Sequence, residues 1–370
     1  MLYTYVLGFL LALACVCRSK QLRKIKNREA VFVFFSFLVL FFMSSCRFEH
    51  DSHSDFYRNY IHTYAMIFRS WRSVFVFNEE LLHPMLRKLV VSVFHDAQAY
   101  FFISSFLIIG CHFYFFKKYS PDLIFSILLF YCIGGYFSAH NITRQYIAIA
   151  ISLLGFRYAI EKKPWKFLIV NLIAVGFHTS AVVVLPLYFL AGRKFTKNMV
   201  WFYALLMVVI VVFNKQIVSF MQLFLYRDYG KGYGIESSNP LRLVWVAVYM
   251  YFVWLLNRSP GTASLSIRDH IESNGGRFNN LLCHATILYC IFALLSAVNM
   301  LMFSRVASYF GVYCILVVLY GIRSERRNNK AILKACFLLL AVAWFLVMDM
   351  SGKHIPNPYT PFWEAAMRAG

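Results

Sequence analysis

Charged residues are scarce in this 370-residue chain, at 14% against about 25% in an ordinary soluble domain. Acidic residues are scarcer still, 16 against 37 basic ones. With 60% of the chain hydrophobic, the shortage excludes a water-soluble protein, because apolar surface on that scale needs lipid as its solvent. None of the nine cysteines (15, 17, 46, 111, 132, 283, 290, 314 and 336) is spaced as CxxC. They read as small buried residues, neither zinc site nor disulfide frame. There is no Asp-x-Asp pair and no glycine-rich phosphate loop, so nucleotide-sugar chemistry held by a metal has no motif here. No repeat or low-complexity tract stands out. The run Leu2 to Cys17 lacks a small-residue cleavage site and has its positive charges after the apolar stretch, which reads as a retained first span rather than a signal peptide.

What is present is a series of apolar runs about as long as a bilayer is thick. They predict an all-α, polytopic integral membrane protein forming a single membrane domain over 1–370. About twelve transmembrane helices are expected, near 2–17, 30–46, 97–116, 123–139, 142–160, 167–177, 179–191, 199–213, 241–257, 279–299, 304–322 and 335–350. The sixth and seventh are short, and are read as a hairpin turning near His178. The net charge of +21 does not point to nucleic acid, because the basic residues cluster in short turns between the runs. Placing alternate turns inside puts 23 of the 37 Lys and Arg residues there, as positive-inside topology requires. Two outer segments, 47–96 and 214–240, mix apolar residues with Tyr, Trp, Arg and Gln, which suits helices lying in the interface plane and roofing a cavity.

Polar residues at the outer boundary carry the chemistry, since an unpartnered charge beside hydrocarbon is costly and tends to mark function. Just after the second span come Arg47, Glu49, His50, Asp51, His53, Asp55, Tyr57, Arg58 and Tyr60. A solvated juxtamembrane loop would account for such a stretch. A metal site from His50, Asp51, His53 and Asp55 is the sharper alternative, disfavoured because four ligands within six residues fit one ion poorly and no second cluster completes the shell. His140, Asn141, Arg144 and Gln145 open the fifth span, where an arginine beside bare backbone N–H groups suits a phosphate. His178 and Ser180 occupy the proposed hairpin tip, Arg305 opens the eleventh span, and Glu79, Glu80 and Tyr359 complete the outer set. Several arginines, a carboxylate and a histidine on one face suit a pyrophosphate: the arginines would stabilise a departing diphosphate, and a carboxylate or histidine would take a proton from a sugar hydroxyl. Asp55 and Glu80 are both candidates for the base; Arg144, on the pyrophosphate oxygens, and His178, expected to orient the acceptor or the diphosphate from the hairpin tip, complete the catalytic set.

These elements resemble, in their order, the EpsG/Wzy-type polysaccharide polymerase family. The likeness lies in Arg47 followed by Asp55 and Tyr60, in Glu80 heading an interfacial helix, and in Asn-x-x-Arg-Gln-x-x-Ala at Asn141, Arg144, Gln145 and Ala148. It continues through Phe-His-x-Ser at Phe177, His178 and Ser180, the late Arg305, and Pro358-Tyr359. The family usually has glycine near its first Asp, where this chain has Glu49 to His53, so Asp51 and Asp55 stay alternatives. The resemblance implies a glycosyltransferase that joins undecaprenyl-pyrophosphate-linked oligosaccharide repeat units at the outer face of a bacterial cytoplasmic membrane. It implies no cofactor or metal, and a flippase and a chain-length regulator as partners. Arg47, Asp51, Tyr60, Asn141, Gln145, Ser180, Arg305 and Tyr359 would bind the substrate. A lipid-linked oligosaccharide flippase and a polysaccharide ligase are the rival readings; a transport path would spread polar residues along the spans, whereas here they crowd one face.

Overall fold

A computed structural model describes residues 2–19, 27–48, 55–76, 80–224, 242–258, 276–298, 301–351 and 359–364. It divides into two compact units: one of Met1–Leu153, Gly176–His178 and Ala335–Gly370, the other of Leu154–Val175 and Thr179–Lys334.

The first unit holds α1 (Leu2–Arg18), α2 (Arg28–Ser45), α3 (Asp55–Phe68), α4 (Trp71–Val76), α5 (Leu82–Phe94), α6 (Gln98–Tyr119), α7 (Leu123–Cys132) and α8 (Gly135–Asn141). It also takes the start of α9 (Thr143–Ile160), the end of α10 (Pro164–Phe177), and most of the last helix. The second unit continues with a 3₁₀ helix Thr179–Val184, α11 (Leu187–Ala191), α12 (Lys197–Val212), α13 (Asn214–Phe224), α14 (Arg242–Arg258), α15 (Arg277–Val298), α16 (Leu301–Ser308) and α17 (Gly311–Ser324). The last helix, α18, is Arg327–Ser351.

A helix lies at each of the twelve segments predicted from the sequence. Among the described residues, four helices are long and apolar enough to cross a membrane: α2, α6, α15 and α18. The bent pair α7 and α8 would make a fifth. Large apolar side chains stand exposed along these and the shorter apolar helices, among them Phe34, Trp201 and Leu339. Such surface is stable only in lipid.

Three predicted runs are interrupted, each for a local reason. The α7–α8 pair bends by 49° at Gly134, whose φ of +93° belongs to the left-handed region that a side chain disfavours. The seventh segment is a 3₁₀ helix and then the short α11. Pro186 has no N–H to extend the first, and the β-branched run Val182 to Val184 crowds an α-helical turn. The eleventh breaks before Gly311, so Arg305 sits in the short α16 and does not open the long helix.

In the first unit α2 packs on α6 through phenylalanines, with Phe37 5.8 Å from Phe106 and 5.9 Å from Phe113, and a buried Ser44–Ser105 hydrogen bond of 2.8 Å. Within 47–96, the first of the two segments expected to lie on the outer side, the described residues include the helices α3, α4 and α5, and 49–54 and 77–79 lie outside the described residues. The second, 214–240, is helical over α13 and otherwise lies outside the described residues. In the second unit α14, α15 and α17 form the core, joined by Tyr249 on Tyr289 and Phe278 on Tyr320. Arg277 donates to the carbonyls of Ala159 and Tyr188; a guanidinium at helix ends satisfies oxygens that the helices leave bare.

Candidate functional site

Three residues far apart in the chain meet in the first unit. Glu80 lies just ahead of α5, Arg144 in the first turn of α9, and His178 just after α10. His178 Nδ1 is 2.8 Å from Glu80 Oε1, and Arg144 donates to Glu80 Oε2 at 3.3 Å. The three side chains are 4%, 10% and 20% exposed for His178, Glu80 and Arg144, so the group is shielded without being sealed. Burial alone would raise the Glu80 pKa, but the hydrogen bond and charge of His178 and the charge of Arg144 outweigh it and lower it to about 2. An ionised carboxylate only accepts, so Nδ1 of His178 carries a proton towards it, and whenever the ring is neutral Nε2 is its acceptor nitrogen.

Local packing holds this geometry. Leu82 at the start of α5 presses on Gly176, where an added Cβ would come within 2.7 Å of Leu82 Cδ1 and 2.8 Å of its Cγ. Gly176→Ala is therefore expected to destabilise the fold by about 1–3 kcal/mol through overpacking, seen as a lowered unfolding midpoint of the purified protein in detergent; an unchanged midpoint would refute the contact. Further along α5, His83 Nε2 is 2.7 Å from Tyr100 Oη, Arg87 donates to Asn59, and Lys88 donates to the Met66 carbonyl at 3.1 Å. All three side chains are buried. Sequence reasoning missed them, although the i, i+4 spacing of His83 and Arg87 puts them on one helix face.

A second cluster forms beside the α8–α9 break. Arg47, 3% exposed, donates to the His140 carbonyl and lies 4.7 Å over the Phe56 ring. Arg47 and Phe48 pair antiparallel with Pro361 and Thr360, which brings Tyr359 to Arg47 from the far end of the chain. Burial raises the Tyr359 pKa, and the Arg47 charge works against that. Tyr60 joins through Phe48, their rings 5.1 Å apart.

The other expected residues are placed as follows. Asn141 is exposed at the end of α8, and Gln145 is buried in α9. Asp55 opens α3, whereas Asp51, Glu79, His50 and His53 lie outside the described residues. In the second unit, Ser180 Oγ is 3.0 Å from Tyr309 Oη, one turn after the buried Arg305 on α16. Among the described residues no group of His, Cys, Asp and Glu could hold a metal ion.

Comparison with curated proteins gave no match, and comparison with solved structures gave none either. A model of the EpsG family matches residues 30–362, a stretch that takes in every element above from Arg47 to Tyr359, and the chain thus belongs to the EpsG family of polysaccharide-polymerase-type membrane proteins.

Proposed function

We propose that the protein joins undecaprenyl-pyrophosphate-linked oligosaccharide repeat units into a surface polysaccharide, as a multi-pass protein at the outer face of a bacterial cytoplasmic membrane. The observation that carries this reading is the Glu80–His178–Arg144 group. Glu80, engaged on both oxygens and held ionised, is a poor base but a good anchor for an imidazole. His178 then takes the proton from the attacking sugar hydroxyl at Nε2, and Glu80 stabilises the imidazolium that forms. Arg144 offers further donors to the diphosphate oxygens as their bond to the anomeric carbon breaks. Arg47 would contribute a second cation from the neighbouring cluster. On this reading a flippase delivers the units and a chain-length regulator sets when growth stops.

The test is incubation of the purified protein, in lipid and with a chelator, with its native lipid-linked repeat unit. The expected result is a ladder of polymer with release of undecaprenyl pyrophosphate, unaffected by the chelator. Substrate moved across the vesicle without a ladder would replace this reading with transport.

A further inference from the structure

The first unit holds a carboxyl group that the reaction above does not use. Asp349, near the end of α18, is 8% exposed. Its Oδ2 accepts from Thr4 Oγ1 at 2.6 Å, tying α18 to the start of α1, whereas Oδ1 is buried with no hydrogen-bond partner among the described residues. A clasp between two helices needs only an acceptor, which an amide or a hydroxyl would supply. A carboxyl adds a second acceptor that is shut away from water, at a cost in free energy.

A second, independent feature lies beside it. His140, 1% exposed, has both ring nitrogens without a partner among the described residues. Between the two stand aromatic rings: Phe137 is 5.9 Å from the His140 ring and 5.8 Å from Phe345, one turn before Asp349. Tyr3, next to Thr4, is 5.3 Å from Phe137 and 6.0 Å from the half-buried Tyr359. Spare acceptors set among aromatic faces, next to Arg47 and the tail strand, match what a sugar offers: hydroxyl donors on its rim and C–H groups on its face.

We propose that Asp349, with His140 and the rings between them, forms a glycosyl subsite whose carboxyl accepts hydroxyl hydrogen bonds from the repeat unit. The proposal rests on the polymerase reading and adds a sugar-binding residue to it. Asp349→Asn keeps an oxygen acceptor for Thr4 and replaces the second acceptor with an amide donor; Thr4→Val removes the clasp and keeps the carboxyl. With the native lipid-linked repeat unit as probe, Asp349→Asn is expected to raise KM by about tenfold or more with kcat within about threefold, and Thr4→Val to leave KM near that of the parent protein. The reverse order, a wild-type KM in Asp349→Asn and a larger defect in Thr4→Val, would reduce Asp349 to a clasp. A parent protein that makes no polymer would overturn the polymerase reading itself, a result separate from either.

Discussion

Removing the His178 imidazole by His178→Ala is expected to lower the polymerisation rate by roughly 10²–10⁴-fold, the usual contribution of a positioned general base. Glu80→Gln should lose less, because the amide still accepts the Nδ1 proton but no longer stabilises the imidazolium. The double variant should be little worse than His178→Ala alone, since two groups acting as one unit are not additive. Rates of the three variants in lipid vesicles, with protein amounts matched, provide the check; additive losses would show that the two side chains act separately. A stability measurement reads the same contact. The folded pKa of Glu80, about 2, lies below its ordinary 4.5. The stabilisation it brings is thus complete above about pH 4.5 and is lost as pH falls through about 2. Glu80→Gln should lack that part of the acid dependence, an effect on the order of a few kcal/mol that pH-resolved unfolding of the two proteins would reveal.

Arg144 and Arg47 should separate activity from folding. Arg144 is 20% exposed and bound at 3.3 Å to Glu80, so Arg144→Ala should leave the unfolding midpoint nearly intact. Its polymerisation rate should fall by about 10²–10³-fold, as when one preorganised donor to a developing anion is lost. Arg47 is 3% exposed, donates to the His140 carbonyl and stacks on Phe56. Arg47→Ala would remove that hydrogen bond, leaving the carbonyl to Thr143 Oγ1, and open a cavity beneath the ring, at a cost of roughly 2–5 kcal/mol. Lysine should rescue neither fully, lacking the planar fork. Normal polymer length and amount from Arg144→Ala in cells with normal protein levels would sink its assigned role. An unchanged midpoint in Arg47→Ala would do the same for the packing account.

Much of the site was legible as positions along the chain and little of it as contacts. Glu80, Arg144 and His178 stood out because each interrupts or borders an apolar run, where hydrocarbon tolerates no idle charge. Their meeting on one carboxylate could not be read, since 64 and 98 positions separate Glu80 from its two partners and no local period links them. Tyr359 and Arg47 were each expected at the substrate, yet the two-residue strand pairing that joins them carries no pattern a sequence could display. His83, Arg87 and Lys88 drew no expectation from the sequence; packing of α5 against α3 and α6 buries them. Asp349 carries no signal of its own in the sequence: Thr4 binds one of its oxygens from 345 positions away, and the other has no partner among the described residues.

The sequence by itself determined the solvent and the class of the protein. Its apolar runs demand lipid, and backbone polar groups in lipid must be satisfied within helices. It also ordered the polar elements that mark the family. Tertiary structure alone decided which distant side chains meet. A bond from His178 to Glu80 depends on packing among segments remote in the chain, and hydropathy sums over neighbours only.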